Sequence, residues 1–249
     1  MSTISIATKD EAGAAFKEFT VGQLVTENPG RARVLEGHGL DYCCGGKTLL
    51  SKACADKGLD FQAIAAEILA YDAAHSAQGT DWATASLTNL ADHISTVHHN
   101  YLKEELPRVE YLADRVLNAH GAKFSHLAEL NEVVHHLSKE LQSHTNKEEK
   151  VLFPWIKKLE TANSSADLDC SSVSNPIGVM EAEHDQAGEA LTKIKELTNN
   201  YTPPAGTCNT HRVFLSTLQE LEADLHTHIH KENSILFPRA IAREKQLQN

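Results

Sequence analysis

Two stretches decide the fold: HTNKEEKVLFPWI, residues 144–156, and HIHKENSILFPRA, residues 228–240. They repeat at an offset of 84 residues, which sets His144 on His228, Lys147 on Lys231, Glu148 on Glu232 and Leu152-Phe153-Pro154 on Leu236-Phe237-Pro238. Upstream, Val134, Leu137 and Leu141 fall on Leu218, Leu221 and Leu225. Apolar residues in both copies step by three or four, the spacing of a helix face buried in a core. The first stripe reads Leu127, Leu130, Val134, Leu137, Leu141, His144, Glu148, Val151 and Trp155. The second reads Leu218, Leu221, Leu225, His228, Glu232 and Ile235. Each stripe therefore carries a histidine and a glutamate one turn apart, and side chains at i and i+4 share a face.

Working outward, helical periodicity continues. Four long helices are predicted over about 83–119, 125–160, 176–199 and 210–243, joined by polar loops at 161–175 and 199–209. Pro154 and Pro238 fall inside the second and fourth and predict kinks. No β-branched run alternates with polar residues, so the fold class is all-α, and the four helices make a four-helix bundle. Residues 11–72 read as short helices broken at Asn28-Pro29-Gly30, Gly37–Gly39, Gly45-Gly46 and Gly58. The expected organisation is a small N-terminal helical domain over 1–72, a small-residue linker over 73–81 and the bundle over 82–249.

One buried His–Glu pair would read most simply as a hydrogen-bonded core pair. Two identical pairs in one bundle core are costly to desolvate, and a bound cation supplies the missing positive charge. In the third helix the stripe is Ile177, Met180, His184, Ala187, Leu191 and Ile194, with His184 its only imidazole. In the first, Leu87, Leu90 and Ile94 lead to His98 and His99, and periodicity does not choose between them. Spacing favours His99: His99 to His144 is 45 residues and His184 to His228 is 44. The candidate metal ligands are His99, His144, Glu148, His184, His228 and Glu232. Imidazole with carboxylate in a bundle suits iron best, with manganese or zinc as alternatives. The set predicts two non-haem iron ions per chain, oxo- or hydroxo-bridged. The other eleven of the fifteen histidines are expected to serve elsewhere. His226, His230 and His135 turn away from the stripe, and His38, His75, His93, His120, His126, His136 and His211 read mostly as surface or capping groups.

The chain has 249 residues, a net charge of −11 and 41% hydrophobic residues. That content supports a packed core and argues against disorder. The acidic balance argues against a nucleic-acid partner. No apolar run approaches a membrane span, and the N-terminus lacks a basic-then-apolar signal, so a cytoplasmic protein is expected. Five cysteines (Cys43, Cys44, Cys54, Cys170 and Cys208) form neither a disulfide framework nor a CxxC zinc pair.

The ordered set Asp41-Tyr42-Cys43-Cys44-Gly45-Gly46-Lys47, Asp92-His93-Ile94 with His99, His144-x3-Glu148 with LFP, Val179 to Asp185 around His184, and His228-x3-Glu232 with LFPRA resembles the RIC family (repair of iron centres; YtfE-, ScdA- and NorA-like proteins). The resemblance covers nearly the whole chain. It implies a ScdA-type N-terminal domain, a haemerythrin-like bundle and a di-iron protein that restores iron–sulfur clusters damaged by nitrosative or oxidative stress. The implied partners are damaged iron–sulfur proteins and small ligands such as nitric oxide or oxygen; a homodimer is compatible with it. Whether the protein turns over as an enzyme, for instance on nitrogen oxides, is left open by the resemblance. The alternative is a haemerythrin-like module that binds or senses oxygen or nitric oxide. Oxygen carriers resemble HxxxH at the third helix, whereas here Gly188 stands four residues after His184. Cys43 and Cys44, before two glycines, are candidate reactive thiols. Glu140, one turn before His144, and Glu183, beside His184, are candidates to orient the ligands or pass iron.

Overall fold

The computed structural model describes residues 15–75, 80–164 and 172–248. Cys170, the start of the predicted N-terminal helices and part of the 161–175 loop lie outside them. Two compact units form, one from Met1–Ala85 with Ile229–Pro238, the other from Ser86–His228 with Arg239–Asn249.

The first unit holds α1 (Val21–Glu27), a 3₁₀ turn (Pro29–Arg31), α2 (Ala32–Gly37), α3 (Leu50–Asp56) and α4 (Phe61–Ala74). Thr20 and Gln23 close a capping box at the start of α1, so two amides without helical partners are satisfied. Asn28 ends α1 and accepts the Gly30 amide, which is why the chain breaks there. Helix α4 runs on to Ala74, into the stretch expected as linker. Val21, Leu24, Leu35, Leu50, Ile68 and Ile229 build this unit's core. Among the described residues there is no strand, only an isolated bridge between Thr20 and Leu49.

The second unit contains four long helical runs. The first is α5 (Leu87–His93), a π-helical turn (Ile94–His99) and α6 (Asn100–His120). The second is α7 (His126–Lys147), a π turn (Glu148–Leu152) and α8 (Phe153–Thr161). The third is α9 (Ser174–Leu197). The fourth is α10 (Asn209–His230), a π turn (Lys231–Leu236) and α11 (Phe237–Gln248), of which Ile229–Pro238 are counted with the first unit. Leu106, Val116, Leu130, Leu191, Phe214 and Leu221, from all four runs, share one core.

At Pro154 and Pro238, where kinks are expected, each helical run carries a π turn just before the proline. A proline within a helix has no N–H to donate, and its ring crowds the carbonyl four residues back. Here the turn before each proline opens by one residue: the Phe153 amide donates to Glu148 O, and the Phe237 amide to Glu232 O. One extra residue rotates the next helical segment by about 100°. Val151 is accordingly 57% exposed, against expectation, and Leu152, Phe153 and Ile156 take the buried face.

Glu160 holds the start of the first run. Its carboxylate accepts the Leu87 amide at 2.8 Å and the Thr88 amide at 3.0 Å. Burial alone would raise its pKa, but these bonds outweigh it and hold the carboxyl below its usual 4.5. A carboxyl with a depressed folded pKa stabilises above its unfolded pKa and loses that contribution as pH falls through the folded value. Glu160→Ala should cost about 1–2 kcal/mol at pH 7. In urea unfolding, the gap from wild type should close as pH drops below 4.5.

Candidate metal centre

The bundle stripes bring their polar members together. Donor atoms of His99, Glu148 and His228 lie within 4.8 Å of one another, as do those of His144, Glu148 and His184. Glu232 follows His228 by one turn of the same continuous helical run and joins both groups. Glu148 and Glu232 are 0% exposed, and the four histidines are buried. Glu148 Oε2 sits 3.3 Å from both His99 Nε2 and His144 Nε2. The Nε2 atoms of His144 and His184 face each other at 3.0 Å. Two carboxylates taken wholly out of water among imidazoles are a costly core unless a cation joins them. Oxygen and imidazole nitrogen together are a donor set that suits iron.

The π turns contribute here. Glu148 and Glu232 each lie within a π turn that ends just before a Phe-Pro pair, and His99 ends the third. Such turns recur at functional sites because they re-aim side chains.

Outer partners fix the rings. His144 Nδ1 bonds Glu183 Oε2 at 2.8 Å, and Lys147 bonds the other Glu183 oxygen. His99 Nδ1 bonds Glu149 Oε1 at 3.0 Å, and Lys103 bonds the same carboxylate at 2.7 Å. In each case burial would raise the carboxyl pKa, but the lysine and histidine outweigh it and hold it low. An ionised carboxylate behind Nδ1 keeps the proton on that nitrogen and turns Nε2 inward. Removing Glu149 or Glu183 with alanine should therefore weaken metal affinity about 10–100-fold in competitive chelator titrations, with the fold retained.

Glu140 is exposed and shares with Glu183 a cleft of about 40 Å3 that reaches His144 and His184. His98, the competitor of His99, belongs to neither group but is buried beside one: its ring lies parallel to that of His228 at 5.3 Å, and Nδ1 bonds Asp224 at 2.7 Å. His211, read as a surface or capping group, is instead buried. His230 does turn off the stripe, toward Tyr42 O at 3.3 Å, and burial pushes its pKa down to about 4. Glu149, Lys103 and Asp224 carry no signal of their roles in the sequence; Glu149 stands beside Glu148, but nothing in the chain ties it to a histidine 50 residues away.

In the first unit, Asp41 Oδ1 accepts the Cys43 and Cys44 amides at 2.9 and 3.0 Å, and Oδ2 accepts that of Gly45 at 2.8 Å. A Cβ on Gly46 would meet Tyr42 O at 2.8 Å, so only glycine permits this turn. Asn233 Nδ2 reaches Cys43 O at 3.4 Å, which ties the turn to the segment bearing Glu232. The Cys43 thiol is buried and, through its contact with Cys44 and that burial, pushed far above its usual pKa.

Comparison with known proteins agrees with this architecture. Residues 90–240 match the haemerythrin HHE cation-binding domain, and residues 17–72 match ScdA_N, a domain of unknown function (DUF542). Proteins named iron–sulfur cluster repair protein YtfE are similar over 92% of this chain and 100% of their own length. Those of Citrobacter koseri and Escherichia coli O8 are 39% identical, and that of an Enterobacter species is 40% identical. The chain is thus all-α, a ScdA-type domain followed by a haemerythrin-like bundle, and belongs to the haemerythrin HHE family alongside these YtfE proteins.

Proposed function

We propose that this protein repairs iron–sulfur clusters damaged by nitrosative or oxidative stress, donating iron held by His99, His144, Glu148, His184, His228 and Glu232. The observation that carries the reading is the pair of His/Glu groups sharing a fully buried Glu148. The names of the relatives support the client class, damaged iron–sulfur proteins. Two non-haem irons per chain would be held, one by each group, with Glu148 and Glu232 common to both; an oxo or hydroxo ligand would join such a pair. Such a pair supplies redox chemistry and a position for a small ligand such as nitric oxide or oxygen.

The chain's own residues do the rest. Glu148 and Glu232 offset part of the cation charge, and a carboxylate can shift between shared and terminal binding as iron leaves. Glu183 with Lys147, and Glu149 with Lys103, hold the rings of His144 and His99 in their binding tautomer. Glu140 and Glu183 line the cleft on the His144 side and can carry a departing cation. Of the two candidate thiols, half-buried Cys44 is assigned to meet the client, while Cys43, buried and with its thiol pushed up, holds the turn beside it. The work belongs in the cytoplasm, where thiols stay reduced.

The test is reactivation of a nitric-oxide-damaged iron–sulfur enzyme by the iron-loaded protein, with metal content measured before and after. Regained activity with matching iron loss from this protein is expected. Stable, reversible oxygen binding without iron transfer would favour the carrier or sensor reading instead.

A further inference from the structure

The far end of the bundle holds a second reactive cluster. Cys208 immediately precedes α10, and its carbonyl accepts the Arg212 amide at 3.2 Å. The thiol is exposed and in no disulfide. Its Sγ lies 3.1 Å from Nε2 of His120, the last residue of α6. His120 is held in place: its ring centroid is 5.8 Å from that of buried His211 and 6.3 Å from that of Phe124. His211 is fixed in turn by Thr207, whose hydroxyl lies 2.6 Å from Nδ1. From here α6 and α10 each run about 30 Å to His99 and His228, at about 1.5 Å per residue. This cluster plays no part in the metal groups.

We infer that Cys208, paired with His120 at the mouth of α10, is a thiol-exchange site that takes small disulfides of the low-molecular-weight thiol class. In the step, the Cys208 thiolate attacks one sulfur of the disulfide. A new Sγ–S bond forms as the old S–S bond breaks. The departing half leaves as a thiolate and takes the proton held on His120, so the Cys208 sulfur is oxidised and the departing sulfur reduced. The remaining described cysteines are less suited: Cys43 and Cys54 are buried and their thiols pushed up, and Cys44 is half-buried.

The same contacts, led by His120, lower the Cys208 thiol to about 7. At pH 7 that raises the thiolate fraction about 50-fold over an ordinary thiol of pKa about 9, while the weaker nucleophile gives back about 8-fold. A net gain of about 6-fold is expected.

The experiment incubates the full-length protein with oxidised glutathione across pH 5–10 and follows each cysteine by peptide-resolved mass spectrometry. Glutathionylation should appear first at Cys208, several-fold faster at pH 7 than in the urea-unfolded chain, with a rate midpoint near pH 7. His120→Gln should slow it several-fold at pH 7 and move the midpoint up by more than one unit. A wild-type midpoint at or above about 8.5, within the range of unperturbed thiols, would overturn the assignment. So would an unchanged rate and midpoint in a folded His120→Gln protein. The wild-type profile decides the matter alone if that variant does not fold.

Discussion

Glu148→Leu should abolish the paired-iron spectrum while leaving the metal-free protein at least as stable as wild type. Glu148 is 0% exposed and belongs to both His/Glu groups, so one substitution removes a donor from each. Without metal, a buried carboxylate is a burden on the fold, and replacing buried charged groups by apolar ones of similar volume is often neutral or stabilising by about 1–4 kcal/mol. Leucine fits the apolar stripe that Leu137 and Leu141 already occupy. Two effects of opposite sign are therefore expected, read by iron content with absorption spectra and by urea unfolding of the apo forms. A paired-iron spectrum that survives Glu148→Leu and Glu232→Leu would remove both residues from the site.

Phe153→Ala should cost about 3–5 kcal/mol and also loosen the metal. Phe153 is 1% exposed and stacks on the His99 ring, centroids 5.5 Å apart at an interplanar angle of 12°. Its removal opens a cavity directly behind a proposed ligand. A melting temperature lower by about 10 °C is expected for a domain of this size. Phe214, equally buried in the bundle core, supplies the control. Phe214→Ala should lose similar stability but keep the iron affinity, which differential scanning calorimetry and chelator titration would separate. Equal loss of affinity in both variants would mean that Phe153 acts only through global stability.

Much of the fold and site is legible in the chain because the bundle is built from local periodicity. The third stripe, Ile177, Met180, His184, Ala187, Leu191 and Ile194, is buried residue for residue, since α9 is an uninterrupted α-helix. The second stripe holds through Glu148 and then slips, since a π turn adds a residue that a constant 100° step does not contain. Pro154 hints at a local irregularity, but proline alone does not say that the helix widens: Pro107 sits inside α6 with no π turn against it. The choice between His98 and His99 falls at the same kind of place, the π turn Ile94–His99, so periodicity stops short of it. What the chain hides are pairings across long separations. Glu149 with His99, Asp224 with His98 and Cys208 with His120 are 50, 126 and 88 residues apart. No helical period relates such positions; only the packing of one run against another does.

The two His/Glu groups are proposed to hold a pair of irons, and the function rests on that pair. Iron analysis combined with Mössbauer spectroscopy on the purified, iron-loaded chain tests it most directly. About two irons per chain, coupled as a pair in a nitrogen- and oxygen-rich environment, is the predicted result. Fewer than about one iron per chain in a protein that keeps its helical fold would contradict it.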